Sequence, residues 1–304
     1  MTFETLASGL RFPEGPVAMP DGSVILVEIA AGRITRVRPD GSTETVAEPG
    51  GGPNGLAIGP DGKLYCCNNG GFNYIDHPAG LLIPHGQADA YSGGRIERID
   101  LATGAVEVLY KDGDFGCVLR GPNDIVFDAH GGFWFTDHGK NRPRERDITG
   151  IFYATADGSH LEEVVFPSEN PNGIGLSPDG KRLYAAETYT CRLMAFDVTA
   201  PGKVDQTASL GGPGIPLYRP PGYKFFDSLG VEACGNICVA TIGESGISVI
   251  SPAGALIEFI ATPDPFTTNI CWGGPDLRTA YITLSGTGRL ISMEWPRPGL
   301  ALAY

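Results

Sequence analysis

Apolar residues in this chain fall in short alternating runs, and each run is cut off by Gly, Pro, Asn or Asp. Alternation of that kind predicts strands joined by tight turns. Six segments repeat one grammar: FPEGPVAMPDGSVILVEI from 12, GPNGLAIGPDGKLYCCNN from 52, GPNDIVFDAHGGFWFTDH from 121, NPNGIGLSPDGKRLYAAET from 170, FFDSLGVEACGNICVATI from 225 and TTNICWGGPDLRTAYITL from 267. A polar residue leads, a strand follows, then a turn such as PDG, then a second strand. Third strands open on patterns like Gly32-Arg33-Ile34, Gly94-Arg95-Ile96 and Gly288-Arg289-Leu290, and fourth strands are expected at Glu44–Ala47, Val106–Tyr110 and Leu256–Ile260. Units of about 50 residues with four strands are propeller blades. The predicted fold is therefore all-β, a six-bladed β-propeller formed as one domain over residues 1–304. Residues Phe3–Ala7 precede the first unit, and the last unit lacks a fourth strand. These residues are expected to complete the sixth blade and close the ring, which removes an exposed edge.

The gap between Asn54 and Asn123 is the longest, and holds FNYIDHPAGLLIPHGQADAY. Without a recognisable turn or strand pair, it reads as an insertion in blade 2 at about residues 70–93, long enough to serve as a lid. Composition supports the turn-rich reading. The chain has 44 Gly and 25 Pro among 304 residues, yet 42% hydrophobic and 9% aromatic residues, so it has a core to bury. Long helices are excluded by the cost of Gly and Pro inside them. The net charge of −13, from 22 basic and 35 acidic residues, argues against nucleic acid as a partner. No apolar stretch is long enough to span a membrane, MTFETLASGL does not read as a secretory leader, and seven cysteines without metal-finger spacing read as reduced thiols. The expected location is the cytoplasm. Oligomeric state is not encoded in any of these features.

The leading polar residues are Glu14, Asn54, Asn123, Asn172, Asp227 and Asn269. In a propeller they gather around one mouth of the central channel. The ring offers carboxylate and amide oxygens without imidazole or thiolate, which suits Ca²⁺, Mg²⁺ or Mn²⁺ before zinc or copper. Facing carboxylates repel unless one is protonated or a cation lies between them. Pro-Asn-Gly is also a common turn sequence, so residue chemistry alone leaves both readings open.

Pro13-Glu14-Gly15-Pro16, Asn123-Asp124, Asn172-Gly173 and Asp227, in this order and context, resemble the gluconolactonase and senescence-marker-protein (regucalcin) family of six-bladed propellers, over essentially the whole chain. The resemblance implies one divalent metal ion, Ca²⁺ first, with Mn²⁺, Mg²⁺, Zn²⁺ or Fe²⁺ as alternatives. Its ligands would be Glu14, Asn172 and Asp227, with Asn123 completing the shell directly or through water. It further implies hydrolysis of a small cyclic ester, with a metal-polarised carbonyl and carboxylate-assisted attack by water. Asp227 is the first candidate for the base and Asp124 the second; Asp124 also suits a turn that hydrogen-bonds its own backbone. Asn54, Asn269, Arg120 and His138 are candidate substrate-binding residues, although Arg120 stands one residue further from the blade 3 Asn than in animal members of the family. Phe226-Asp227-Ser228 also departs from the family's usual Pro-Asp-Gly. His138 and Glu187, at second-strand ends, are otherwise expected in solvated loops. Tyr74, His77, His85 and Tyr91 in the insertion suggest a less sugar-like substrate. The same metal propeller would also suit an organophosphate hydrolase or a lyase or isomerase, and a propeller without catalysis would be a binding scaffold.

Overall fold

The computed structural model describes residues 2–207 and 212–304. It shows six small antiparallel sheets arranged as a six-bladed propeller. Blade 1 is built from Pro13–Ala18, Val24–Glu28, Arg33–Val37 and Thr43–Ala47; blade 2 from Pro53–Ile58, Leu64–Asn68, Arg95–Ile99 and Val106–Lys111. Blade 3 is Pro122–Phe127, Gly132–Asp137, Thr149–Thr155 and Leu161–Ser168. In blade 4, Pro171–Leu176, Arg182–Glu187 and Arg192–Ala200 are followed by two short strands, Lys203–Val204 and Ile215–Tyr218, that both pair with the third. Blade 5 is Phe225–Val231, Ile237–Ile242, Gly246–Ile250 and Leu256–Ala261. Blade 6 consists of Thr267–Gly273, Thr279–Leu284 and Arg289–Glu294, and its outer strand is Glu4–Ser8, with Glu4 opposite Ser292. The ring is thus closed by the N-terminal strand. No helix among the described residues is long and apolar enough to cross a membrane, and all seven cysteines are free.

Buried side chains fill the space between blades. Tyr65 of blade 2 packs edge-on against Phe127 of blade 3, ring centroids 4.9 Å apart, while Phe135 and Phe152 stack within blade 3 at 5.0 Å. The PDG turns of blades 1, 2 and 4 share one mechanism. The carboxylates of Asp21, Asp61 and Asp179 accept the N–H of the residue two positions on, and Gly22, Gly62 and Gly180 take positive φ, as Asx-type turns require.

Each inner strand touches the next, and the sixth touches the first. At every inner-strand start the pairing register shifts by one residue: between Glu14 and Val17, Pro53 and Leu56, Pro122 and Ile125, Pro171 and Ile174, Phe226 and Leu229, and Thr267 and Asn269. An extra residue in one strand bends it and re-aims its side chains. A sixfold bulge is therefore what turns the leading residues toward the channel.

Gly55 and Gly173, which follow two of those residues, do not have positive φ. Their small size is needed for packing. A Cβ on Gly55 would lie 2.6 Å from both the Asn123 carbonyl oxygen and the Asp124 Cα. Gly55→Ala is expected to destabilise the fold by about 1–3 kcal/mol, read as a lower denaturant midpoint. An unchanged midpoint would show that the inner strands have room to separate.

The insertion in blade 2 forms a strand pair, contrary to the sequence expectation: Phe72–His77 against Leu81–Gln87. Pro84 lies opposite Tyr74 in this pair, and Gly80 has positive φ at the turn. A proline inside a strand hides the strand from sequence patterns, because it is tolerated only where no ladder hydrogen bond is needed.

Candidate functional site at the channel mouth

Glu14, Asn54, Asn123, Asp124, Asn172, Asp227 and Asn269 are all buried, and each retains a few per cent of its surface. Their placement at the starts of six contiguous inner strands brings them to one mouth. Three of them are carboxylates. Burial raises the Glu14 carboxyl above its usual range, although it accepts hydrogen bonds from the Gly15 N–H at 2.7 Å and the Asn269 Nδ2 at 2.8 Å. Asp124 is pushed up to about 8, by burial first and by the charge of Glu14 second. Asp227 is raised well above its usual range by burial, by Glu14, and by Asp124. The three acids therefore feel one another across the mouth. Without a compensating positive charge they resist ionisation together.

The amides differ in how fully they are engaged. Asn269 donates to Glu14, and its Oδ1 accepts from the Ile270 N–H at 2.7 Å. It holds Glu14 in place. Asn172 Nδ2 donates to the Thr188 hydroxyl at 3.2 Å, and its Oδ1 meets the Ser228 hydroxyl only at 3.4 Å. Asn123 Oδ1 is buried without a partner among the described residues. A buried carbonyl oxygen left unpaired is costly, and this one belongs to the predicted ligand set. Among the described residues no three His, Cys, Asp or Glu side chains stand close enough to hold an ion unaided. Any shell at this mouth must draw on asparagine oxygens. Two or three mutually repelling carboxylates, an orphaned amide oxygen and a second loosely held one suit a hard divalent cation.

Both Asp124 oxygens face backbone donors, Oδ1 the Ile125 N–H at 2.9 Å and Oδ2 the Ile174 N–H of blade 4 at 3.4 Å. Thr136, absent from the sequence reading, joins the two blades. Its hydroxyl accepts the Asp124 N–H at 3.1 Å and donates to the Asn172 carbonyl. It lies on the second strand opposite the blade 3 bulge, and a lone threonine in FWFTDH carries no signal of that role.

A second layer of buried polar groups stands at the ends of the second strands. Glu28, Asn68, Asp137 and Glu187 accept backbone N–H groups from the segments leading into the inner strands. Glu187 is thus buried and pairs with Arg192 at 2.6 Å, correcting the expectation of a solvated loop acid. Arg120 belongs to this layer through its backbone: its N–H donates to Asp137 at 2.6 Å, while its half-exposed guanidinium pairs with Asp112 at 2.8 Å. His138 is also buried, correcting its placement in a surface loop. Burial, and then the charge of Lys140, pulls its imidazole down to about 4, so it is neutral near pH 7. Its ring lies 6.0 Å from that of Tyr189.

Lys140 is the largest omission from the sequence reading. Its side chain is 1% exposed. Its ammonium donates to Asn69 Oδ1 at 2.9 Å and to the Gly71 carbonyl at 3.0 Å, and sits 3.8 Å above the Phe72 ring. It pins the stem of the blade 2 hairpin to blade 3.

The chain is 26% identical to a gluconolactonase of Zymomonas mobilis, with 93% of this chain and 78% of that protein covered. It is 28% identical to lactonase drp35 of Staphylococcus saprophyticus, covering 86% and 72%. Its fold is similar to that of a regucalcin from Agrobacterium tumefaciens, described as a calcium-binding protein, with a TM-score of 0.75, 20% identity and coverage of 99% and 98%. Residues 12–286, from just before the first inner strand to just beyond the second strand of the last blade, match the SMP-30/Gluconolactonase/LRE-like region, and the chain belongs to that family.

Proposed function

We propose that this chain is a lactone hydrolase that works with one divalent cation at the channel mouth. The observation that carries the reading is the coupled carboxylate set Glu14, Asp124 and Asp227 beside the unpaired Asn123 Oδ1. The gluconolactonase and lactonase relatives supply the reaction class, and the calcium-binding neighbour supports the choice of ion. Glu14, Asn172, Asp227 and Asn123 are the residues that would hold the ion, with Ca²⁺ first because the donors are all oxygen. When bound, such an ion supplies stabilisation of the negative charge that develops on the ester carbonyl oxygen.

The protein's own groups do the rest. Asp227 accepts the proton of the attacking water, because Asp124 has both oxygens turned to backbone donors and Glu14 is held by Asn269 and Gly15. The water oxygen bonds to the carbonyl carbon, the ring C–O bond breaks, and the ring oxygen leaves as a hydroxyl after taking the proton that Asp227 accepted from the water. The product is a hydroxy acid. Asn54 and the neutral His138 line the mouth and orient the ring. Thr136 fixes the spacing of Asp124 and Asn172.

Metal analysis and a lactone screen on the same purified sample test this. The expected result is a divalent ion near one per chain and acid release from at least one lactone, followed at constant pH. A preparation that retains no ion and opens no lactone overturns the proposal. Turnover of a phosphotriester alone would move the chemistry to phosphorus on the same site.

A further inference from the structure

The outer strand of a propeller blade carries unpaired backbone N–H and C=O groups along one side, and proteins defend such edges with charges, prolines or short length. All but one of the edges in this chain are defended. Among the described residues, the outer strands of blades 1 and 6, Thr43–Ala47 and Glu4–Ser8, expose no large apolar side chain. In blade 2 the exposed Val106 and Val108 flank an exposed Glu107, and the strand ends on an exposed Lys111. Blade 3 places Glu162 and Glu163 in its outer strand, with Pro167 near its end. Blade 4 has only short outer strands, one of which holds Pro216.

Blade 5 is the exception. Its outer strand, Leu256–Ala261, reads LIEFIA, without Pro, Gly or Lys, and among the described residues no strand lies on its outer side. Leu256 is 47% exposed, Ile257 51% and Phe259 38%. Glu258, its only ionisable residue, is already engaged. Its Oε2 accepts from Arg297 Nη2 at 3.0 Å, and Arg297 also donates through Nε to the buried Glu232 at 2.6 Å. A short run of strand-forming residues with its one charge neutralised is the pattern that recruits another strand.

We propose that this edge is a dimer interface, at which two copies of the chain pair Leu256–Ala261 antiparallel across a two-fold axis and join two blades into one continuous sheet. Charge selects the occupant. The chain carries a net −13, so two copies repel over most of their surface, and the blade 5 edge offers an apolar contact whose only carboxylate is already paired. A two-fold contact also uses the same edge in both copies and leaves neither exposed. The register follows from the acid. An axis centred on Glu258 would set two carboxylates opposite each other, whereas one centred on Phe259 sets two rings opposite and Ile257 against Ala261 of the other copy. The fourth strand of a blade runs toward the channel mouth, so antiparallel pairing inverts one propeller relative to the other. The two mouths then open on opposite sides of the dimer, on inner strands at the far edge of each sheet, and neither is covered. The interface is independent of the reaction proposed at the mouth.

Analytical ultracentrifugation of the full chain tests this. At about 100 µM, well above a micromolar Kd, the wild type should sediment with twice the mass of one chain. Ile257→Lys should raise the Kd at least about a hundredfold, because each copy brings an uncompensated ammonium group into the contact. Val108→Lys, the same change on the blade 2 edge, should leave the dimer intact. A monomeric wild type overturns the proposal and leaves the strand to a different protein. A dimer that survives Ile257→Lys, or one that Val108→Lys splits equally well, places the interface elsewhere and overturns it too. Amide hydrogen exchange on the wild type needs no substitution. Protection of Leu256–Ala261 should be lost as the dimer is diluted to monomer, while Val106–Lys111 exchanges at the same rate throughout. Exchange at Leu256–Ala261 that ignores concentration overturns pairing through this edge.

Discussion

Asp227→Asn is expected to lower kcat about 10²–10⁴-fold, the usual contribution of a positioned general base, with a much smaller change in KM. The substitution preserves shape, so a loss of that size reports the loss of charge and basicity. It should also have an opposite effect on the fold. Asp227 is raised well above its usual range by burial and by Glu14 and Asp124, so an uncharged amide removes a repulsive partner from the mouth. In the presence of a chelator the variant should melt at or above the wild-type temperature near pH 7 while being nearly inactive. Asp124→Asn provides the comparison. Near-normal turnover in Asp227→Asn combined with collapse in Asp124→Asn would transfer the base to Asp124. A variant that melts well below wild type would mean that Asp227 is held by structural bonds, and its role at the mouth would have to be abandoned.

The repeat grammar was legible because each propeller blade writes it in local chemistry. PDG turns need Asp and Gly side by side, and alternating runs need only the pleat. The ring at the mouth was legible for the same reason, since Glu14, Asn54, Asn123, Asn172 and Asp227 occupy one place in their repeats. The cause of that place was not. The Gly of PNG reads as a turn residue, but Gly55 and Gly173 have no positive φ and instead let neighbouring inner strands approach, while a bulge in every blade aims the side chain before them. Two strands shifting register leave no mark in a single sequence. Burial of His138 and Glu187 was equally hidden, because it depends on loops from neighbouring segments folding over second-strand ends. Lys140 and Tyr74 show the same limit: one meets Asn69 and Phe72 about 70 positions away, the other meets Phe12 of another blade, and neither pairing follows from spacing. Arg120 shows the reverse case, a residue flagged for its guanidinium that serves the site through its backbone N–H.

Removing the ion should abolish turnover and take away a stabilisation that grows as pH rises, and the sign of that dependence can be worked out from the groups at the mouth. Asp124 titrates near 8 in the fold against 3.8 ordinarily, and Asp137 near 6. Between those limits the folded state binds more protons than the unfolded chain, so stability decreases with rising pH. Two buried bases act the other way. His138 at about 4 and Lys140 at about 7 lie below their ordinary values of 6.5 and 10.5. They add stability as pH rises from about 4 to 6.5 and from about 7 to 10.5 respectively. Melting curves in chelator alone would therefore mix opposing slopes. The difference between melting temperatures with saturating Ca²⁺ and with chelator cancels groups remote from the mouth and isolates the carboxylates that the ion competes for. That difference should widen from pH 5 to pH 8, as protons release Glu14, Asp124 and Asp227. At an ion concentration a hundredfold above its Kd the stabilisation is about 2.7 kcal/mol. A difference that stays flat across this range, or activity that survives exhaustive chelation, would remove the cation from the channel mouth and leave the three buried acids to share protons among themselves.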